Sequence, residues 1–332
     1  MVTYEAADTP QTLAQRLYAR KGVLTSPEAV LPVIAVAIGI FLTVDTDSFA
    51  STANFQNLTR QGSVLLIVAV GVAVVVLGRG IDLSVGSIMA FSGVVGAFVA
   101  RDSGSAELGL FVIILIGFLI GTANGIAIGI FRLSPLIVTL ATLSIFRGLA
   151  LWISDGASVT GMPSGFSTLG NDSIGDVPLS GIVALIVLAG GVFILHGTRW
   201  GSYIYAAGSN PRAATLSGIR VPLLTVSLYA FSGLMAGLGA AILSSRINTG
   251  SPLLAQGFEF QVLGSVFLGG VIFLAGRGNL WGVFFAVIIL TEIRNGLNLT
   301  GVNPFWQPVV PGAVLLAAVT FQRILRRVDE SE

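Results

Sequence analysis

The side chains that most often carry out enzymatic chemistry are scarce in this sequence of 332 residues. It contains no cysteine and a single histidine, His196, which excludes disulfides, thiolate nucleophiles and multi-histidine metal sites within one chain. Its only lysine, Lys21, precedes Gly22, so the Gly-Lys-Ser/Thr ending of an ATP-binding P-loop is absent. We therefore predict that the chain is not an enzyme and holds no metal, no cofactor and no ATP site of its own.

A few ionisable groups lie inside or beside strongly apolar segments, where a charge is costly and often functional. Arg147 is the clearest case, since a central arginine costs about 2.5–3.5 kcal/mol on insertion scales. Its side chain either lines a polar path or reaches the membrane interface beside Trp152, and both interpretations stay open. Glu259 and Glu292 are the carboxylates that an ion-coupled carrier would use.

A glycine-rich turn joins two apolar segments at residues 78–86. Its glycines permit a tight turn, and either Asp82 or Ser84 suits the N-cap of the next helix. Arg79 and Asp82 are candidates for an ion pair, because neither is stable alone in lipid. The simpler interpretation is a hinge without ligand contact. The residues that define this signature turn are Gly78, Arg79, Gly80, Asp82, Ser84 and Gly86.

The segment 205–219 is polar and rich in small residues, and it predicts a short helix outside the membrane. Asn210 suits an N-cap, Pro211 the first helical position and Gly218 the stop. Such a helix either docks into a groove on another protein or is an ordinary interfacial loop helix. The residues that would carry docking are Gly208, Asn210, Pro211, Arg212, Ala213, Ala214, Leu216, Ser217 and Gly218.

The composition indicates that these groups are positioned by membrane helices. The chain is 54% hydrophobic and only 10% charged, whereas soluble proteins carry about 25% charged residues. The net charge of +1 argues against a nucleic-acid partner. The 42 glycines suit helices that approach one another closely in a bilayer. We predict an all-α polytopic membrane protein.

A helix needs about 20 mostly apolar residues to cross the hydrocarbon, and about ten such helices are predicted. They lie near 28–44, 62–78, 83–100, 108–131, 134–153, 178–196, 221–244, 257–275, 279–297 and 306–323. The transmembrane domain is then 28–323. It is flanked by an N-terminal segment, 1–27, and a tail, 324–332.

The basic residues predict the orientation of these helices, since cytoplasmic loops are enriched in lysine and arginine. We therefore predict that both termini are cytoplasmic, which leaves only four of the 17 basic residues in outer segments: Arg60, Arg101, Arg246 and Arg294. The longest outer loop, 154–177, then contains no basic residue. Asn124-Gly125 and Asn295-Gly296 end predicted helices four and nine, five helices apart. The repeated Asn-Gly dipeptide suggests an inverted repeat of the kind found in transporters.

Several of these motifs, in this order, resemble the ribose-type permease subunits of bacterial ABC importers. The resemblance covers residues 60–322. It rests on the signature turn, on Ser134-Pro-Leu-Ile-Val-Thr-Leu140 with Arg147-Gly-Leu-Ala150, and on the segment 205–219. Asn295-Gly-Leu-Asn-Leu299 and Phe305-Trp-Gln307 complete the set.

The resemblance implies a fold similar to the vitamin B12 importer permease and uptake of a pentose or hexose by alternating access. It implies a multi-pass protein of the bacterial inner membrane with ATPase subunits that bind ATP and Mg, a second permease subunit and an extracytoplasmic sugar-binding protein. Under it, 205–219 is the coupling segment that rests on the ATPase. The residues we expect along the translocation path are Asn124, Arg147, Glu259 and Asn295.

Two stretches depart from the family pattern. The family usually reads Glu-Leu-Asp-Ala, where this chain has Glu259-Phe-Gln-Val262, and Gly-Gly-Thr-Ser, where it has Gly269-Gly-Val-Ile272. The lost polar groups slightly favour a heterodimer over a homodimer of permease subunits. An ion-coupled secondary transporter of a small polar solute is the alternative function, and a membrane-embedded enzyme is a weaker one.

Overall fold

The computed structural model describes residues 27–306 and 309–329. Residues 1–26 of the predicted N-terminal segment, Gln307 of the last motif and residues 330–332 of the tail lie outside this range. The described chain forms 13 α-helices. They are α1 Pro27–Asp45, α2 Thr52–Leu77, α3 Val85–Ser103, α4 Ala106–Gly129, α5 Pro135–Ile153, α6 Thr168–Asn171, α7 Leu179–Gly197, α8 Arg199–Ser209, α9 Pro211–Leu216, α10 Val221–Ile247, α11 Phe258–Leu268, α12 Leu280–Leu299 and α13 Val309–Asp329.

Eight of these helices, α1 to α5, α7, α10 and α12, are long and apolar enough to cross a membrane. Each overlaps a predicted span, so the all-α polytopic class is confirmed. The one sheet in the described residues is a small hairpin in the loop 154–177, in which β1 (Ser173–Ile174) pairs antiparallel with β2 (Val177–Pro178). The inverted repeat stays a prediction.

The prediction of one continuous crossing helix at 257–275 is wrong; the chain crosses the bundle here as a short helix followed by an irregular stretch that reaches the coupling segment, where Gly276 lies against Gly208. Helix α11 has only 11 residues, about 16 Å at 1.5 Å per residue, which is half the hydrocarbon thickness. The chain then turns irregularly, with φ of 82° at Gly270 and 57° at Gly276. Val271 in this stretch is fully buried. Its apolar side chain therefore faces protein rather than lipid, a distinction that hydropathy does not make.

Two other predicted spans have different bounds. Helix α2 begins at Thr52, ten residues before the predicted start, because Ser51 caps its polar first turns by accepting a bond from the Asn54 N–H at 3.2 Å. The last predicted span corresponds to α13, whose apolar part is the shorter stretch Val309–Ala318. Polar helix turns at membrane ends explain why hydropathy placed the start of α2 too late.

Helices α4 and α10 pack closely against each other in the core. Glycines at every fourth position of α4 face α10, so the two backbones touch. A Cβ added at Gly117 would lie 2.5 Å from the Gly233 carbonyl oxygen, and one at Gly121 would lie 2.7 Å from the Gly233 Cα. Small residues allow such approach in membrane helices. The pair fixes α10 as a central element of the bundle.

Helix α10 also defines the two ends of the molecule. It begins at Val221, just after the coupling segment, and contains Arg246 in its last turn. At 1.5 Å per residue, Val221 and Arg246 are about 38 Å apart along the helix axis. Helix α1 begins at the coupling-segment end, where Glu28 accepts a hydrogen bond from the Asn279 side chain. The opposite end, which carries Arg60, Arg246 and Arg294, is called the arginine end below.

Candidate functional site

The signature turn is held by a buried hydrogen-bond network centred on Asp82, which is fully buried. Its Oδ1 accepts bonds from the Ser84 N–H at 3.0 Å and the Ser84 hydroxyl at 2.5 Å. Its Oδ2 accepts a bond from the Ser232 hydroxyl of α10 at 2.8 Å. Three donors thus compensate the burial of the carboxylate.

The predicted ion pair between Arg79 and Asp82 is wrong. The network above satisfies Asp82, and Arg79 instead donates from Nη1 to the carbonyl oxygens of Gly208 at 3.2 Å and Ser209 at 3.5 Å. Arg79 adopts a positive φ of 72° within the turn. The signature turn is therefore bonded directly to the coupling segment, a link that the sequence did not predict.

The two asparagines expected along the translocation path are also buried in hydrogen bonds. Asn124 donates from Nδ2 to the Ser84 hydroxyl at 3.0 Å and accepts a bond from the Thr142 hydroxyl at 2.6 Å, which extends the Asp82 network to α4 and α5. Asn295 pairs reciprocally with Asn54 through two side-chain bonds of 2.7 and 3.1 Å. Both side chains tie helices together.

The coupling segment forms the predicted helix. The Asn210 side chain accepts bonds from the N–H groups of Arg212 and Ala213, both at 3.1 Å, and Gly218 ends the segment with a φ of 86°. Ala214 is buried against the chain, whereas Leu216 is 91% exposed. The capped helix is confirmed, and its role in docking stays a prediction.

The coupling segment is fixed to the bundle by backbone contacts on two sides. Gly208 lies against the carbonyl oxygen of Leu77, the last residue of α2, and a Cβ at Gly208 would be 2.7 Å from the Gly276 Cα. The Tyr205 hydroxyl donates to the carbonyl oxygen of Gly278 at 3.1 Å. Gly208 is therefore a packing residue rather than an exposed docking residue.

The Arg147 side chain is bound by main-chain carbonyl groups. Its guanidinium donates from Nη1 to the carbonyl oxygens of Pro252 at 2.9 Å and Leu254 at 2.8 Å, and from Nη2 to that of Ala255 at 3.4 Å. Ala255 has a φ of 53°. Arg147 on α5 thus holds the irregular loop that precedes α11.

Glu259 lies beside this loop and is 6% exposed. Its Oε2 has no hydrogen-bond partner among the described residues and packs against Gly86 of the signature turn. The nearby positive charge of Arg147 interacts with it electrostatically. Gly86, Arg147 and Glu259 therefore bring α3, α5 and α11 together at one point. This arrangement fits a role in packing and equally a place along the translocation path.

Replacing Arg147 tests whether its contacts with the loop matter for transport. Hydrogen bonds to charged groups contribute about 1.5–3 kcal/mol each, so Arg147→Met should lower uptake at least tenfold while the protein stays in the membrane. Arg147→Lys should restore little, because one ammonium does not reproduce the planar fork of the guanidinium. Solute uptake by cells that express each variant measures this. Full uptake by the lysine variant would instead indicate that the charge alone is needed.

A cavity of about 1000 Å³ opens at the arginine end between helices α2, α10, α11, α12 and α13 and the loop before α11. We call it the arginine cavity. Its polar lining residues are Gln61, Arg246, Gln256, Gln261, Thr291, Arg294 and Asn298. None of the four residues expected along the translocation path lines it, and their assignment to that path stays a prediction.

Sequence reasoning missed the arginine cavity, although one signal pointed to it. Arg246 and Arg294 belong to the few basic residues that the predicted orientation leaves outside. Each lies on a different helix, and Gln61 is on a third, so only the packing shows that they share a cavity. The cavity size matches a small-molecule site, which usually measures about 300–1000 Å³.

Comparison with known proteins agrees with this architecture. A family model described as "Branched-chain amino acid transport system / permease component" matches residues 54–319. The ribose import permease of Bacillus subtilis (strain 168) is 35% identical over 286 residues, which cover 86% of this chain and 89% of the relative. The D-allose transport system permease of Escherichia coli (strain K12) is 34% identical over 296 residues, 89% of this chain and 91% of the relative.

The galactose/methyl galactoside import permease of the same Escherichia coli strain is 34% identical over 311 residues, which cover 88% of this chain and 92% of the relative. No solved structure matches the chain. The residues that the family model matches include the signature turn, the coupling segment and every lining residue of the arginine cavity. The chain therefore belongs to the monosaccharide ABC importer permease family, whose members are multi-pass proteins of the bacterial inner membrane.

Proposed function

We propose that this chain is the membrane subunit of an ABC importer and forms the translocation path for a monosaccharide, a pentose or a hexose. The observation that carries the proposal is the helix Pro211–Leu216, which is capped, fixed to the bundle through Gly208 and yet presents an exposed leucine. A rigidly attached helix with an apolar tip suits docking into a groove of another protein. The names of the relatives supply the solute class.

Partner ATPase subunits, which bind ATP and Mg, then drive alternating access, since the sequence has no P-loop of its own. The coupling segment faces the cytoplasm, and α1 begins at that end. The arginine cavity opens on the opposite side, toward an extracytoplasmic sugar-binding protein. A second permease subunit completes the path, and the departures from the family pattern favour a heterodimer.

Affinity purification of the tagged chain in mild detergent tests the proposal. A stoichiometric P-loop ATPase should co-purify and be lost when exposed Ala213 becomes tryptophan. Ala213 is a better test than Ala214, because Ala214 packs against the chain itself. A second permease in the complex would identify a heterodimer. Uptake by vesicles that contain only this chain, without an ATPase, would contradict the proposal.

An ion-coupled carrier is the second candidate, and one observation favours it. Glu259 and Glu292 each have a buried Oε2 without a hydrogen-bond partner among the described residues, and intramembrane carboxylates often carry protons. Uptake that stops when the ion gradient is collapsed, while ATP remains, would support this function and exclude the first.

A further inference from the structure

The arginine cavity carries more positive charge than a site for a neutral sugar needs. Arg246 and Arg294 line it, and no aspartate or glutamate does among the described residues. The only ion pair in the described chain joins Arg101 and Asp102, neither of which lines this cavity. Among the residues that the structure describes, no carboxylate therefore forms an ion pair with either cavity arginine.

The acceptors that these guanidiniums contact are neutral amides. Arg246 donates from Nη2 to Asn57 Oδ1 at 2.8 Å, and Arg294 donates from Nη1 to Gln261 Oε1 at 3.5 Å. Arg60 and Arg294 both lie close enough to Arg246 to repel its charge. Amides orient the guanidiniums but leave the positive potential of the cavity intact.

Arg246 is half-buried, whereas Arg294 is exposed. A guanidinium binds a carboxylate or phosphate with two parallel, charge-assisted hydrogen bonds, and it gains most where it is partly removed from water, as at Arg246. The same cavity presents Gln61, Gln256 and Thr291, whose side chains can bond to hydroxyl groups. We propose that the arginine cavity binds a solute that combines an anionic group with several hydroxyls, a sugar acid, in preference to a neutral sugar. This inference rests on the proposed function, and it narrows the solute class.

Gln261 offers a direct way to alter the charge of the cavity. It contacts Arg294, so an aspartate here would place a carboxylate beside that guanidinium. The family pattern described above has an aspartate at this position. Gln261→Asp should therefore lower the preference for an anion without removing either arginine.

The experiment uses the complete complex, with its co-purified subunits but without the binding protein, in nanodiscs of phosphatidylcholine. Saturation-transfer NMR compares the dissociation constants of galacturonate and galactose at low salt. We expect galacturonate to bind at least tenfold more tightly. Arg246→Gln, Arg294→Gln and Gln261→Asp should each reduce that ratio about tenfold or abolish it. Arg101→Gln, which removes a surface arginine outside the cavity, is the matched control and should not change it.

Equal binding of the two sugars to the unmodified complex would overturn the inference. So would an unchanged ratio in both arginine variants, particularly if these variants lose binding-protein association in a pull-down, since the arginines would then serve protein docking. ATP-dependent uptake of galactose by the same complex with its binding protein distinguishes failure of the proposed solute class from failure of the importer function. If that uptake persists without anion preference, the importer function stands and only the solute class fails.

Discussion

Replacing Leu216 with glutamate is expected to abolish ATP-dependent uptake while the permease remains folded in the membrane. The side chain is 91% exposed, so the folded chain loses no packing. Burial of a leucine in a partner groove contributes about 1.5–3 kcal/mol, and a buried unpaired carboxylate adds a further cost. The affinity for the ATPase should fall roughly a hundredfold or more. Co-purification of the ATPase and uptake by vesicles measure the two consequences.

Two neighbouring substitutions make this result specific. Leu216→Met keeps an apolar side chain of similar size and should preserve both ATPase binding and uptake. Thr215→Glu adds the same charge at the adjacent exposed position, which points to another side of the short helix, and should have a smaller effect. Undiminished co-purification of the ATPase with Leu216→Glu would show that the coupling segment is an ordinary interfacial loop helix.

Gly121→Leu is expected to cause the largest loss of stability of any substitution considered. A Cβ at Gly121 meets the backbone of α10 at Gly233, and a backbone does not move aside as a side chain does. Overpacking of this kind costs about 1–3 kcal/mol in soluble cores and more where nothing relaxes. We expect a loss of at least about 3 kcal/mol, which should be visible as a lower melting temperature in detergent and as low membrane abundance.

Gly148→Leu is the control for this substitution. Gly148 lies on α5, and a Cβ built there has no neighbour within 4 Å. The control changes the same residue type to the same apolar side chain in another candidate span. Its melting temperature should stay near that of the unmodified protein. Equal stability of the two variants would mean that α4 and α10 are not held together by their glycines.

The long helices could be predicted from the sequence because they are continuous apolar stretches of the necessary length. The same criterion failed at 257–275, where the apolar residues face the protein and glycines with positive φ break the helix after Leu268. It also placed the start of α2 too late. Hydropathy responds to apolar side chains, whether they face lipid or protein, and does not detect polar turns that extend a helix.

The local chemistry of the coupling segment was equally predictable, since Asn210, Pro211 and Gly218 act on the backbone within a few residues. The long-range contacts were not. Arg147 bonds to main-chain carbonyls more than 100 positions away, and every residue has a carbonyl. Arg79 likewise bonds to the carbonyl of Gly208. The residue type does not identify a main-chain acceptor, so these pairings cannot be predicted without the three-dimensional packing.

Helix α2 contacts the coupling segment at one end of the molecule and lines the arginine cavity at the other. Its last residue, Leu77, lies against Gly208 of the coupling segment, and Gln61 and Val64 of its first half line the arginine cavity. Leu77 and Val64 are about 20 Å apart along the helix. Gly208 and Leu77 contact each other through backbone atoms, so α2 and the coupling segment are held tightly together at this point. Because one continuous helix joins the two sites, we expect a displacement of the coupling segment to be transmitted to the cavity wall that α2 forms.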